Sequence, residues 1–180
     1  MRIKPLESLL LVVDLQSRLL PVIDHADAVL ANALWMVKVA QTIGIPVLAT
    51  EHCREQLGLT DPELRSLLAE ESIVKKEHFS AVTEGALLAA PEATRQQWVV
   101  VGAEAHVCVQ QTVLDLLAAG RHVFVVDDAT GSRRAHDKEL ALQRMRQNGA
   151  EIVSREMVAF EWLERANTAV FRDVLKRFIR

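Results

Sequence analysis

The chain has 180 residues, half of them hydrophobic, with 21 Lys plus Arg against 24 Asp plus Glu and a formal charge of −3. That size suits one folded domain over residues 1–180, and the lack of any basic block points away from nucleic acid and toward a small molecule or another protein as partner. No run nears the ~18 uninterrupted apolar residues of a membrane span, and the two cysteines, Cys53 and Cys108, form neither a disulfide framework nor a CxxC metal pair, as expected of a cytoplasmic chain with free thiols.

In chain order, the first apolar run, Ser8–Asp14 "SLLLVVD", predicts a core strand that ends on a carboxylate. Ala26–Gly44 follows with apolar residues at helical spacing (Val29, Ala33, Met36, Val39, Ala40) and stops at a glycine. Further strands are predicted over Ile45–Thr50, Ser72–Lys76, Gln97–Gly102, His122–Asp127 and Glu151–Ser154. Val109–Ala119, Arg133–Gln147 and the tail Ala169–Arg180 read as helices. Continuous apolar strands alternating with amphipathic helices imply a sheet buried on both faces, hence an α/β class with three α/β/α layers around a mainly parallel six-stranded sheet.

In such sheets ligands sit outside the carboxyl ends of the strands, and here those ends carry reactive groups. They are Asp14, Glu51 and His52, Lys75 and Lys76, then Glu104, His106 and Cys108, then Asp127 and Asp128. Each has a plainer explanation: Asp14 as a turn former, Lys76 as a solvated charge in "VKKEHFS", Cys108 as a small core hydrophobe. Against that, Cys108 falls at the predicted start of the helix Val109–Ala119, where free backbone N–H groups and the macrodipole favour a thiolate, and Lys76 would add to the effect. The same N–H groups could hold an oxyanion. His106, two residues before the thiol, need not face it, and "TEHC" lacks the further ligands a metal site requires. No cofactor or metal is expected. An activated thiol is also what a redox sensor displays, and the fold could serve a purely partner-binding role.

With these residues in place, three segments, "LLVVDLQSRLLP", "VKKEHFSA" and "VVVGAEAHVCVQQTVLDLLAAGRHVFVVDDATGSR", resemble the isochorismatase-like cysteine hydrolases over nearly the whole chain. "TEHCREQLGLTDPEL" with "EAHVCV" is most similar to the uncharacterised isochorismatase-domain subgroup. The resemblance implies an Asp14–Lys76–Cys108 triad: Asp14 as proton shuttle, Lys76 (whose offset to Ser80 fits, unlike that of Lys75) as supporting cation, and Cys108 as nucleophile. It also implies a cis peptide between Ala103 and Glu104, with the N–H groups of Glu104 and Cys108 as oxyanion hole. The expected activity is hydrolysis of a small amide or related acyl compound through a thioester, with ether cleavage of the isochorismatase type as the alternative. Phe79 is the candidate pocket wall, and a homo-oligomer is expected.

Overall fold

A computed structural model describes residues 1–180. Its six strands are β1 Ser8–Val13, β2 Val47–His52, β3 Ile73–Lys76, β4 Gln97–Ala103, β5 His122–Gly131 and β6 Glu151–Val153. They form one sheet in the order β3-β2-β1-β4-β5-β6, with every neighbouring pair parallel. The strand order reverses between β1 and β4, so the crevice that such a sheet opens for ligands lies at the carboxyl ends of those two strands.

Eight α-helices cover the sheet: α1 Ala26–Ile43, α2 Arg54–Leu57, α3 Pro62–Ser66, α4 Ala86–Ala89, α5 Gln110–Ala118, α6 Ala135–Gln147, α7 Arg155–Leu163 and α8 Ala169–Val174. Side chains alternate across each strand. Leu10 and Val12 therefore pack with Val29, Met36 and Val39 of α1, Trp162 of α7 and Val174 of α8. Leu9, Leu11 and Val13 face the opposite layer, with Val113 and Leu116 of α5 and Met145 of α6. This double burial is why β1 is buried at all six positions and reads as an unbroken apolar run. The C-terminal segment lies on the first layer: Trp35 Nε1 donates to the Phe178 carbonyl at 2.8 Å.

The strand boundaries differ from the sequence expectation in two instructive places. β2 begins at Val47 and runs on through Glu51 and His52, where the Glu51 carboxylate accepts the Thr60 hydroxyl and the His52 backbone N–H donates to Gln16. β5 continues four residues past Asp127. Val100 lies opposite Val125 and Gly102 opposite Thr130, five steps on β5 against two on β4, so a bulge accommodates Asp127 and Asp128 before pairing resumes. A helix over Arg155–Leu163 was not among the predicted elements; Ser154 caps it by accepting from the Met157 N–H.

Candidate active site

Three strand ends build the site. Asp14 follows β1 in a left-handed conformation (φ 49°), and its side chain is fully buried. One carboxylate oxygen accepts the Thr50 hydroxyl at 2.6 Å, from the end of β2. The other accepts Lys76 Nζ at 2.7 Å, from the last residue of β3. Strand alternation explains the choice of lysine: Lys75 is exposed on one face while Lys76 turns inward and is only 3% exposed. The remaining donors of the Lys76 ammonium go to the carbonyls of Phe79 (3.1 Å) and His78 (3.3 Å).

The end of β4 approaches β1 closely. Gly102 has φ 128°, and a Cβ there would lie 2.1 Å from the Val13 carbonyl oxygen, so only glycine lets β4 pass beside the residue before Asp14. The Ala103–Glu104 peptide bond is cis. The Glu104 carboxylate is forked by the Arg133 guanidinium at 2.8 and 2.9 Å and also accepts the Arg133 N–H. The Glu104 backbone N–H, by contrast, donates to no group of the protein.

Cys108 departs from the expectation in two respects. The helix does not begin at Val109: Ala105–Val109 form a π-helical turn leading into α5, which draws Cys108 away from the helix terminus and into the interior, 5% exposed. Its acidity is also reversed. Burial pushes the thiol well above its ordinary pKa, the nearby Asp14 carboxylate pushes it further, and Lys76 opposes both only in part. The thiol facing the Lys76–Asp14 pair is therefore protonated at rest, and a thiolate arises only when its proton is taken.

This inverted acidity makes a stability prediction. Above about pH 9, where a free thiol ionises, an unfolded chain loses the Cys108 proton that the native protein retains. Stability is then lost as pH rises, by up to about 1.4 kcal/mol per pH unit. The urea midpoint of the wild-type chain is expected to fall between pH 8.5 and 10 more steeply than that of Cys108→Ser; parallel slopes would contradict the inverted acidity. On the acid side, burial first and then the Lys76 charge hold His52 below its ordinary value of 6.5. Its contribution is complete above that pH and declines as pH falls below it.

The other flagged residues have structural partners. Glu51, fully buried, accepts the Thr60 N–H and hydroxyl (both 2.8 Å), Arg65 (2.7 Å) and Arg54 (2.5 Å). Burial works against its carboxylate, but the Thr60 and Arg54 hydrogen bonds outweigh it and keep Glu51 ionised below the usual range. It fastens the segment after β2, as does Gln16, which pairs reciprocally with the His52 backbone (2.8 and 3.0 Å). His106 Nδ1 lies 3.0 Å from Ser132 Oγ, and so is engaged with the end of β5. Phe79 is half exposed, with its ring against His52 at a centroid distance of 5.3 Å. Sequence reasoning missed Thr50 and Arg133: both lie within the quoted segments, but nothing in those segments pairs Thr50 with Asp14 or Arg133 with Glu104, and each partnership became visible only through strand order and the fold of the β5 end.

Fold and site together define a three-layer α/β/α domain with a buried Asp–Lys pair beside a cysteine at the sheet's switch point. The chain belongs to the isochorismatase family, whose domain profile matches residues 8–157. Isochorismatase domain-containing protein 2A of Mus musculus is 35% identical, over 97% of this chain and 84% of that protein. Isochorismatase family protein 1A of Dictyostelium discoideum is 30% identical, over 96% and 86% respectively. Among solved structures, MAR1 ribonuclease from Caenorhabditis elegans superposes with a TM-score of 0.91 at 34% identity, over 100% of this chain and 93% of that one. The YcaC gene product of Escherichia coli, described as an octameric hydrolase of unknown specificity, gives 0.90 at 24% identity, over 99% and 91%. No helix is long and apolar enough to cross a membrane.

Proposed function

We propose that the chain is a cysteine-dependent hydrolase of a small amide or related acyl substrate, working through Asp14, Lys76 and Cys108. The observation that carries this reading is the buried Lys76–Asp14 ion pair, 2.7 Å between Nζ and Oδ2, beside the buried Cys108 thiol. Asp14 takes the thiol proton as sulfur attacks the carbonyl carbon, forming the C–S bond and an oxyanion. Lys76 supports the negative charge while it resides on sulfur. The Glu104 N–H, which has no partner in the protein, and that of Cys108 receive the oxyanion. Asp14 then gives its proton to the leaving nitrogen, the C–N bond breaks, and a thioester remains. Water, deprotonated by Asp14, attacks the thioester carbon; the C–S bond breaks, Asp14 returns the proton to sulfur, and a carboxylic acid is released.

The presence of a buried thiol near the ion pair favours acyl chemistry over ether cleavage, which has no need of a nucleophile. Ribonuclease activity, which the name of the nematode relative would suggest, finds little support in a net charge of −3 without a basic stripe. A homo-oligomer belongs to the same proposal, with exposed Leu140, Met157 and Phe160 as apolar surface available for contact; light scattering on the purified chain measures its size.

The decisive experiment screens small amides for ammonia release in the presence of hydroxylamine, which converts a thioester into a hydroxamate. Hydroxamate that disappears in Cys108→Ala is the expected result. Ammonia release that persists in that variant would remove cysteine from the mechanism.

A further inference from the structure

Lys76 spends all three of its ammonium donors within the protein: one on Asp14, two on the carbonyls of His78 and Phe79. When Asp14 takes up a proton, its hold on the ammonium weakens, and the two carbonyls become what keeps the charge beside the sulfur. The turn that carries them is thus as important as the lysine itself. What fixes this turn is α5. The Thr112 hydroxyl accepts the Ala81 N–H at 3.0 Å, and the Asp115 carboxylate accepts the Ser80 hydroxyl at 2.6 Å. Ser80 Oγ in turn accepts the Val82 N–H at 3.2 Å, closing the turn on itself. Cys108, Thr112 and Asp115 follow one another at i, i+4 and i+7, the spacing of a single helical stripe.

We infer that Asp115, acting through Ser80, is a positioning residue that locks the His78–Phe79 carbonyls and so fixes the Lys76 ammonium relative to the Cys108 sulfur. One helical run carries the nucleophile in the π-helical turn that leads into α5 and, two turns along, grips the segment that holds the cation. Sulfur and ammonium are thereby referred to the same rigid element, without Asp115 touching either. On the outer side of the turn Glu84 accepts the Glu77 and His78 N–H groups, both near 2.8 Å. That clasp is solvent-facing, whereas Ser80 is 4% exposed, so the inner clasp is the one shielded from exchange with water.

The inference rests on the triad proposed above, and an experiment in the Asp14→Asn chain separates the two. There Cys108 faces Lys76 without a competing carboxylate, and its thiol titrates by ultraviolet thiolate absorbance, with a Cys108→Ser chain subtracted. Adding Lys76→Met tests the triad: no rise in the apparent thiol pKa would defeat that reading itself. Adding Asp115→Ala or Ser80→Ala tests the inference. Each is expected to lower the thiolate fraction below the pKa about tenfold, equivalent to a rise of one pKa unit. Asp115→Asn, whose amide oxygen still accepts the Ser80 hydroxyl, is expected to stay within about twofold of the parent. If Lys76→Met raises the pKa while both Asp115→Ala and Ser80→Ala leave it unchanged in folded protein, the positioning role is wrong and the triad stands. Should Asp115→Ala fail to fold, Ser80→Ala alone decides.

Discussion

Asp14→Asn is expected to abolish most turnover while making Cys108 more acidic, although thiol acidity and turnover ordinarily rise together. A carboxylate acting as general base contributes about 10²–10⁴-fold, and asparagine cannot accept the thiol proton, so the rate on any amide substrate should fall by that amount. The same carboxylate raises the thiol pKa by its charge. Without it, the buried Lys76 ammonium has only neutral oxygens as partners, and the nearest group able to neutralise it is the Cys108 thiolate. Thiolate absorbance near neutral pH and alkylation by iodoacetamide should therefore both increase in a protein that has lost its activity. Loss of structure would also release the thiol, but only to its ordinary value near 9, so the expected result is a thiol that titrates below that value in a chain whose circular dichroism is native; a purely electrostatic spectator would leave turnover intact. An unchanged thiol pKa in Asp14→Asn would show that burial alone keeps Cys108 protonated and that the carboxylate is not coupled to it.

Lys76→Met is expected to be costly to stability as well as to activity. It leaves Asp14, fully buried, with only the Thr50 hydroxyl against its charge. Removing one member of a buried ion pair costs about 3–5 kcal/mol, because the other must remain desolvated and unpaired or take up a proton. Against a total stability of roughly 5–15 kcal/mol, that loss should move the urea midpoint substantially. The double variant Asp14→Asn/Lys76→Met removes the stranded charge and should recover most of the midpoint while remaining inactive. Recovery without activity is the signature of a pair retained for chemistry rather than for folding. A single variant as stable as the wild type would instead mean that water reaches Asp14, contrary to its burial.

The effect of pH on stability is expected to be asymmetric for reasons internal to the site. His52, kept neutral by burial and by Lys76, begins to cost stability below about pH 6.5. Glu51 and Glu104 follow only below their ordinary carboxyl value of 4.5, since hydrogen bonds from Thr60 and Arg54 to the first, and from Arg133 to the second, outweigh burial and hold both ionised to lower pH. Their stabilisation is present above that value and is lost as pH falls through the native one. The alkaline side belongs to Cys108.

What the sequence determined by itself follows from short-range periodicity. Strands buried on both faces cannot show polar residues, so "SLLLVV" and "QWVVVGA" read as core strands of a parallel sheet, and the amphipathic helices between them followed with small boundary shifts. The reactive residues at or just past strand ends, Asp14, Lys75 and Lys76, and Cys108, stood out because they interrupt an apolar pattern, and the family resemblance chose Lys76 over Lys75. The acidity of Cys108 was not legible. It depends on a π-helical turn that buries the sulfur and on a carboxylate from another strand, 94 positions earlier in the chain, and neither leaves a local signal. Glu51 was one of the reactive groups at the strand ends without an assigned role until the fold brought Arg54, Arg65 and Thr60 onto its two oxygens. Thr50, Arg133, Ser80 and Asp115 were likewise assigned only by the tertiary structure. Electrostatics and hydrogen bonding act across space between elements distant in sequence, whereas hydrophobic periodicity acts along the chain, and that difference separates what could be read from what had to be seen.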